Sequence, residues 1–404
     1  MSEEKMMPKI RFLNHDKNWI REQFNFLLEK KDGIRRGPFG SALKKDLFVK
    51  DSNYVVYEQQ NAIYNNFDTR YNITEEKYKE LINFKLEPGD FIMSGAGTIG
   101  KVSFVPQNIK TGIINQALIR MKTSKINTDK KFFYHFMQSP IMQKNLTRKN
   151  AGSAMTNLIP MAELKATKIQ IPENIDEQQK IGNLFEKLDQ AISLQQQVLE
   201  ATKDYKQSML QKMFRKQDEE VPEIRFDKYF SPWNKIKLEK TIKKEFKGKT
   251  KESDLKKGDI EYLNTERLNG GEAYLSNAEK DVNFDDIIIL WDGSKAGTVY
   301  SGFSGALGST LKNYIIDLEF FDSSFVYQSL KKEQDRIYNQ YRTPNIPHVI
   351  KDFTESFKIS VPSLEEQQKI GSFFKTLDEK IEQEEKKLEA YESMKKALMQ
   401  RMFV

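Results

Sequence analysis

The chain carries the same hexapeptide twice, and this internal repeat restricts its possible folds more than any other feature. Glu-Gln-Gln-Lys-Ile-Gly occupies 177–182 and again 366–371, and the apolar positions that follow stay in phase without a gap. A second repeat, Pro-x-Ile-Arg-Phe, precedes it at 8–12 and 222–226. The sequence therefore predicts two diverged copies of one unit, each a globular stretch followed by a long helix.

Each repeated C-terminal stretch has the apolar spacing of a long amphipathic helix. No proline interrupts either span, and a short apolar strand ending in proline precedes both. Because a helix with so narrow an apolar side needs another helix to cover it, each stretch is expected to pair with its own copy. The residues predicted to pack between the helices are Ile181, Leu184, Leu188, Ile192, Leu199, Ile370, Phe373, Leu377, Ile381 and Leu388.

The pairing must be antiparallel, because the second globular stretch begins where the first helix ends. The expected fold class is α+β, with two α/β domains joined by two long antiparallel helices in a coiled-coil spacer of approximate two-fold symmetry. Such a molecule is typical of a ruler that reads two unlike sites, and a scaffold for two unrelated binding domains is the alternative. The predicted boundaries are 1–170 and 216–360 for the domains and 171–215 and 361–404 for the helices.

The composition suits an anionic partner and excludes several kinds of site. The formal charge of +7 fits nucleic acid binding without requiring it. The chain has no cysteine, and His15, His135 and His348 are far apart in sequence, so disulfides and a zinc site are not expected. A charged N-terminus and the lack of a long apolar run predict a cytoplasmic protein with no signal peptide and no membrane partner.

The globular stretches are predicted to mix strands and helices. Short alternating segments that flank glycine-rich turns are typical of hairpins, and each has a counterpart in the other copy. The predicted strands are 89–93, 101–105, 286–290 and 297–300, and the predicted helices are 132–146 and 324–340.

The segment Gly95–Lys101 resembles two nucleotide-binding motifs but lacks what each requires. It matches both G-x-G-x-x-G and G-x-x-x-x-G-K, yet Val102 stands where a P-loop has its magnesium-binding Ser or Thr. Both motifs also need a following helix whose amides hold the phosphate, whereas the residues after Lys101 predict a strand. A glycine-rich hairpin that turns tightly or approaches a partner is therefore expected.

Basic and amide side chains in the globular stretches are the candidates for contacts with DNA. Cations can lie on phosphates and Asn or Gln can read adenine edges, although each such residue is individually more often a solvated surface group. Segment 235–257 alone has ten lysines against four acidic residues. The candidates are Arg35, Arg36, Ser41, Lys44, Lys45, Gln59, Gln60, Thr98, Lys101, Asn115 and Gln116 in the first stretch, and Lys247, Lys249, Lys251, Ser294, Lys295 and Asn313 in the second; Asn61, Asn264 and Asn345 carry amides of the same kind.

The sequence shows no constellation typical of catalysis. No two prolines are adjacent, so the Asn/Asp-Pro-Pro-Tyr/Phe loop of adenine methyltransferases is absent, and H-E-x-x-H and a Ser/His/Asp set are absent too. A protein that is not an enzyme and has no cofactor of its own is therefore expected.

In its repeated motifs the chain resembles the specificity subunit of type I DNA restriction–modification systems. The resemblance spans essentially the whole chain and is carried by the doubled arrangement of Ile/Val-Pro, the hexapeptide and Leu-Asp at 171–189 and 361–378. The first domain also has Gly-Asp-Phe-Ile at 89–92, Gly-Thr-Ile-Gly-Lys-Val at 97–102 and Asn-Gln-Ala-Leu at 115–118. The second copy is weaker, since Asp285 replaces the glycine before Asp286.

The resemblance implies two target-recognition domains, each reading half of a bipartite, asymmetric site in double-stranded DNA. It implies that the helices set the spacing and dock two methyltransferase subunits that use S-adenosylmethionine, and that restriction subunits using ATP and magnesium then join. A stand-alone sequence-specific DNA-binding protein and a coiled-coil scaffold are the alternatives. The first would bind its site without partners, and the second would show no salt-dependent affinity for duplex DNA.

Overall fold

The computed structural model describes residues 7–149, 156–216, 219–344 and 347–404, which form two compact units. Unit 1 is Met1–Gln195 with Lys387–Val404, and unit 2 is Gln196–Lys386. Each unit therefore combines one globular stretch with part of both long helices. The boundaries predicted from the sequence place the helices and the domains in separate segments. That division by function remains a prediction.

The described part of unit 1 is an α/β domain built on two four-stranded sheets. Its strands are β1 (Ile20–Gln23), β2 (Ile34–Arg36), β3 (Tyr54–Tyr57), β4 (Tyr71–Ile73), β5 (Lys85–Leu86), β6 (Phe91–Ser94), β7 (Val102–Phe104), β8 (Gly112–Ile114), β9 (Leu118–Met121), β10 (Thr147–Lys149), β11 (Thr156–Leu158) and β12 (Lys168–Ile171). Its α-helices are α1 (Gln59–Tyr64), α2 (Glu75–Glu80), α3 (Lys130–Gln138), α4 (Pro140–Leu146), α5 (Met161–Ala166) and the first half of α6 (Ile175–Met213).

The sheet topology of unit 1 gathers several loops at one end. The strand orders are β2-β9-β6-β7 and β4-β3-β8-β5, with β1 pairing with β12 and β10 with β11. Ser94 at the end of β6 pairs with Leu118 at the start of β9. Arg36, the last residue of β2, pairs with the next residue of β9, Ile119. The parallel strands β3 and β8 end just before the same turn, where the Asn115 amide donates to the Tyr57 carbonyl at 2.9 Å.

Unit 2 repeats this framework with fewer described strands. Its strand orders are β14-β20-β17-β18 and β16-β15-β19, with β13 pairing with β21. The strands are β13 (Asn234–Lys237), β14 (Ile242–Lys247), β15 (Lys257–Leu263), β16 (Leu275–Ser276), β17 (Ile287–Leu290), β18 (Val299–Tyr300), β19 (Ala306–Leu307), β20 (Leu311–Ile316) and β21 (Lys358–Val361). The helices are α7 (Thr265–Leu268), α8 (Ser323–Lys332), α9 (Gln334–Gln340), α10 (Phe353–Ser356) and the first half of α11 (Leu364–Met402).

The two long helices are continuous and antiparallel, as predicted. Both α6 and α11 run for 39 residues. In unit 1, Asp189 pairs with Lys395 at 2.5 Å and the Phe185 ring stacks on Phe403 at 5.5 Å, so positions rise in α11 as they fall in α6. All ten residues predicted to pack between the helices are buried or half-buried.

Unit 2 shows the same antiparallel pairing with different residues. Lys203 forms an ion pair with Glu385 at 2.7 Å, and the Phe214 and Phe374 rings lie 5.7 Å apart. Since each unit contains its own set of contacts between α6 and α11, the opposite direction of the helices is established twice.

The helices also pack against their own domains, a contact that the sequence analysis did not predict. Phe403, which directly follows α11, packs on Phe185. It also packs on Phe132 and Phe136 of α3, with ring centroids 5.9 and 6.0 Å away. The first turns of α6 therefore join the core of their own domain as well as the partner helix, which explains why aromatic residues occur there.

The repeated hexapeptide fastens the first turns of each long helix to its own domain. Gln178 Oε1 accepts from the Asp129 amide and its Nε2 donates to the Pro172 carbonyl, both at 2.9 Å. Gln367 repeats both bonds in unit 2, at 3.1 and 3.0 Å. A Cβ on Gly182 would lie 2.6 Å from the backbone of α3, so the closest approach requires glycine.

Two kinds of feature are missing from the described residues. None of the described helices has both the length and the apolar character needed to cross a membrane. The same residues contain no group of three or more His, Asp or Glu side chains arranged to hold a metal ion.

Candidate nucleic-acid interface

Seven of the eleven candidates in unit 1 lie at the end of its sheets where the loops gather. Arg36 Nε donates to the Gln116 carbonyl at 3.1 Å, which joins the loop after β2 to the turn before β9. The Gln59 side chain lies 3.7 Å from where a Cβ on Gly97 would be, beside the loop after β6. We call this surface loop face 1; it comprises Arg36, Gln59, Gln60, Thr98, Lys101, Asn115 and Gln116, of which Gln59 and Asn115 are half-buried and the others exposed.

Glycines and a buried hydroxyl shape loop face 1. The Gly37 amide donates to the Leu118 carbonyl at 2.9 Å, and a Cβ there would lie 1.8 Å from the Asn115 oxygen. Ser94, which is fully buried, accepts from the Lys101 amide at 3.0 Å and so closes the loop between β6 and β7. Strand β7 follows this loop and pairs with β6, so the predicted glycine-rich hairpin is confirmed, and the helix that a P-loop needs does not follow it.

The other four candidates of unit 1 lie beside loop face 1 rather than in it. Arg35 pairs with Asp32 at 2.6 Å, so its charge is partly engaged. Ser41, Lys44 and Lys45 are exposed in the segment that follows β2. The same segment exposes 88% of Phe39, an aromatic that is not among the candidates chosen from the sequence; exposure of so large an apolar group suits stacking on a base.

Unit 2 forms a corresponding surface with different side chains. Its Gly248 amide donates to the Leu311 carbonyl at 2.9 Å, as Gly37 does to Leu118 in unit 1. Lys247 Nζ pairs with Asp292 at 2.5 Å, which brings the end of β14 to the turn after β17. We call this surface loop face 2; it comprises Lys247, Asp292, Ser294 and Lys295, and the exposed candidates Lys249 and Lys251 continue along the chain from it.

Two residues that contact loop face 2 could not be found from the sequence. Arg342 Nη1 and Tyr338 Oη both donate to the Ser294 carbonyl at 2.9 Å, and the guanidinium lies 3.2 Å from the centre of the Tyr338 ring. Both residues are more than forty positions from Ser294, and no motif marks them. A stacked arginine and tyrosine beside a glycine turn are suited to contact a base or a phosphate.

Asn313 is a correction, because it is not on the surface. It lies in β20 with no exposed area, and its Nδ2 donates to Asp286 Oδ2 at 2.9 Å. The corresponding residue in unit 1 is Arg120, which is equally buried and pairs with Asp32. This position holds the sheet together in both units and cannot reach DNA in this structure.

Two of the three further amides also have structural roles. Asn61 is buried and donates to the carbonyls of Asn66 and Asp68, at 2.7 and 2.8 Å, so it stabilises a turn. Asn264 caps α7 by accepting from the Arg267 amide at 2.8 Å. Asn345 lies outside the described residues.

Three carboxyl groups of unit 1 with shifted pKa values, Asp32, Glu87 and Asp90, lie just before strands β2 and β6, at the opposite end of that sheet from loop face 1. Burial raises the pKa of Asp90 to about 6. Burial acts in the same direction on Asp32, but hydrogen bonding to Arg35 and the charge of Arg120 bring its pKa below the ordinary value. Hydrogen bonds from Lys122 and Lys85 lower the pKa of Glu87 to about 2. These groups therefore support the framework rather than read DNA.

Comparison with known proteins identifies one family across most of the chain. The family described as type I restriction modification DNA specificity domain matches residues 39–203 and 231–392, together well over half of the chain. The type I restriction enzyme MjaVIII specificity subunit of Methanocaldococcus jannaschii is 36% identical over 146 residues, which are 35% of this chain and 34% of that protein. A protein of Mycoplasma genitalium named as a type I specificity subunit is 22% identical over 98% of this chain and 97% of its own.

Solved structures show the same fold. The crystal structure of a type I restriction–modification S subunit from M. genitalium matches with a TM-score of 0.66 and 19% identity, over 99% of both chains. A chain from a study of complex assembly and conformational transition in the type I R-M system matches with a TM-score of 0.57 and 13% identity, over 95% of this chain and 97% of that one. The fold class predicted from the sequence is confirmed.

Proposed function

Because this chain belongs to the family of type I restriction–modification DNA specificity subunits, we propose that each of its units reads one half of a bipartite, asymmetric target in double-stranded DNA. The observation that carries this proposal is that one framework presents two different sets of side chains. The turns at Gly37 and Gly248 are built alike, yet loop face 1 is rich in amides and loop face 2 in lysine. Unlike side chains on like frameworks would recognise unlike sequences.

Within each unit, cations and amides have separate tasks. Exposed Lys101 and Lys295 would lie on phosphates and set the position of the duplex. Gln60 and Gln116, which are also exposed, carry the amide pattern that pairs with the major-groove edge of adenine. Arg36 uses Nε to hold Gln116, which leaves the far side of its guanidinium for a guanine or a phosphate.

We propose that the paired helices set the number of base pairs that are not read. A continuous helix of 39 residues is about 58 Å long at about 1.5 Å per residue. At about 3.4 Å per base pair this corresponds to at most about 17 base pairs. The antiparallel contacts found in each unit support a spacer of fixed length, since neither helix can slide without breaking both sets.

The chemistry would belong to other subunits. We propose that this chain is not an enzyme and needs no cofactor, and that two methyltransferase subunits dock along α6 and α11 and methylate adenine with S-adenosylmethionine. Restriction subunits that use ATP and magnesium would join this complex on DNA in the cytoplasm. A methyltransferase that flips its target base needs the duplex held in register, and this chain would hold it in that position.

Mapping methylated adenines in a host that carries this chain with its methyltransferase subunits tests the proposal. The expected target has two different short half-sites separated by unread bases. Replacing residues 7–168 by the same stretch of a relative, with the arginine of Pro-x-Ile-Arg-Phe retained, should change one half-site only. An undivided target, or a change in both halves, would overturn the proposal.

Binding assays separate the two alternatives from this proposal. A stand-alone DNA-binding protein would bind its target alone as tightly and specifically as the assembled complex does. A scaffold would show no dependence of duplex affinity on salt, whereas phosphate contacts predict a steep one.

A further inference from the structure

Arg342 lies across the glycine turn of loop face 2, and backbone groups hold its side chain in one direction. Its Nε donates to the Tyr338 carbonyl at 2.8 Å, and its Nη1 donates to the Ser294 carbonyl at 2.9 Å. A Cβ on Gly297 would lie 3.9 Å from Arg342 Cδ, so the aliphatic part of the side chain follows the turn. The guanidinium is therefore fixed by carbonyl groups, which leave its charge uncompensated.

The Tyr338 ring supports the flat side of this guanidinium. The guanidinium carbon lies 3.2 Å from the centre of the ring, and Tyr338 Oη donates to the same Ser294 carbonyl at 2.9 Å. Pro347, from the same part of the chain, is also tied to the turn, because its carbonyl accepts from the Gly293 amide at 2.9 Å. Stacking on an aromatic face suits arginine, and here it sets the plane of the guanidinium.

The outer edge of this guanidinium is open to a ligand. Nη2 has no partner in the described part of the chain, and it is not among the enclosed polar atoms, so solvent reaches it. The Tyr338 side chain beneath it is exposed as well. No described carboxylate pairs with Arg342, whereas three other arginines of unit 2 each pair with a glutamate: Arg225, Arg267 and Arg336. The fork formed by Nη1 and Nη2 is therefore both rigid and available.

We propose that Arg342 reads a guanine in the half-site of unit 2, an inference that rests on the proposed function of unit 2 as a reader of DNA. Guanine presents O6 and N7 as neighbouring acceptors in the major groove, and a guanidinium fork donates to both. A phosphate contact needs only a positive charge, which the exposed Lys249 and Lys295 already supply on this surface. A fork held in a fixed plane instead matches a fixed pair of acceptors. The half-site of unit 2 therefore contains at least one G·C pair.

Base analogues in the target test which atoms Arg342 contacts. Mapping methylated adenines for the parent chain gives the two half-sites, and the exchange of residues 7–168 shows which of them belongs to unit 2. Binding by the complex of this chain with its methyltransferase subunits is then measured on duplexes in which each guanine of that half-site is replaced in turn. 7-Deazaguanine lacks N7 and should weaken binding at least about fivefold at one position, whereas inosine, which keeps O6 and N7, should not.

Arg342→Lys is the decisive variant, because it keeps the positive charge but loses the fork. In R342K the effect of 7-deazaguanine should disappear, and the preference for G·C at that position should fall about tenfold or more. The preferences at the other positions of the half-site should stay as in the parent, which reports that the turn keeps its fold. Lys295→Ala is the comparison, since loss of a phosphate contact should weaken binding to all sequences and leave the G·C preference unchanged.

The inference is overturned if the half-site of unit 2 contains no G·C pair, or if none of its guanines responds to 7-deazaguanine. It is also overturned if the response persists in R342K, or if R342K weakens binding to all sequences equally, as a phosphate contact or a lost fold would. An undivided target would instead overturn the proposed function, so the two failures are distinguishable.

Discussion

Arg11 donates two hydrogen bonds to Glu177, from Nε at 2.6 Å and from Nη2 at 2.8 Å. Arg225 repeats the pair with Glu366 at 2.7 and 2.8 Å. Both carboxylates are buried, so each depends on its arginine for neutralisation. The two repeated sequence motifs, Pro-x-Ile-Arg-Phe and the hexapeptide, are therefore the two sides of one contact that ties the start of each unit to its long helix.

Arg225→Met should destabilise unit 2 more than Arg11→Met destabilises unit 1. Glu177 keeps the Trp19 indole donor at 3.2 Å, whereas no second side-chain donor to Glu366 is present in the described residues. Leaving a buried charge unpaired costs about 3–5 kcal/mol, and one retained hydrogen bond should spare about 1–2 kcal/mol of that. Hydrogen exchange measured by mass spectrometry reports the first turns of α6 and α11 separately.

The double substitution Arg225→Met with Glu366→Leu is the matched control. It removes both charges and should recover most of the lost protection at the start of α11. Equal losses in the two units would show that the Trp19 indole does not compensate for the lost arginine, and no recovery in the double variant would show that the ion pair does not anchor the helix.

His135 should make unit 1 less stable in mild acid. Burial lowers its pKa to about 4, an effect that Asp189 partly opposes. An unfolded histidine has a pKa of about 6.5. Between pH 4 and 6.5 the histidine therefore binds a proton in the unfolded chain but not in the folded unit. The free energy of unfolding should therefore fall by up to about 3 kcal/mol as the pH drops from about 6.5 to 4.

The second copy of the chain supplies the control for this prediction. Gln328 stands at the position of His135, and its Nε2 donates to Asp378 at 2.9 Å. His135→Gln should remove the fall in stability, as measured by urea unfolding at several pH values. Asp90 contributes the opposite slope, because its raised pKa costs stability as the pH rises from about 4 to 6. The difference between the variant and the parent isolates the histidine, and identical pH profiles would refute its assignment.

Substitutions on loop face 1 should separate affinity from specificity. Lys101→Ala should weaken binding by the assembled complex to all sequences and reduce the salt slope by about one phosphate contact. Gln116→Ala should relax one position of one half-site by about 1–3 kcal/mol. Binding measured against a library of target variants at two salt concentrations reads both effects. Lys168 is an exposed lysine away from loop face 1, so Lys168→Ala should change neither the affinity nor the specificity. A relaxed position in the other half-site after Gln116→Ala would contradict the assignment.

Local patterns were enough to predict the helices and hairpins. The spans 171–215 and 361–404 predicted for the long helices agree with α6 and α11 to within four residues at each end, because a long apolar period without proline admits no other regular structure. The predicted helix 132–146 is in fact α3 and α4, broken where Ser139 caps the second helix and Pro140 occupies its first turn. That break has a sequence signal, a Ser-Pro pair, which the apolar period concealed.

Contacts between distant segments could not be predicted. The sequence around Asn313 does not show which face of a strand is covered, so the burial of this residue with Asp286 was missed. Nothing near Ser294 indicates that Arg342 and Tyr338 reach it from a later segment. The hexapeptide indicated homology between the copies. Its role in holding the helix to the domain could be seen only once the residues that it contacts were known.

Lengthening both helices tests the central claim most directly. Inserting four helix-forming residues after Gln195 and four after Glu384, which are matching positions in the repeat, adds about 6 Å to each helix, close to two base pairs. Mapping methylated adenines for this variant with its methyltransferase subunits should find both half-sites unchanged and the unread gap longer by about two base pairs. Methylation at the original spacing would contradict the account.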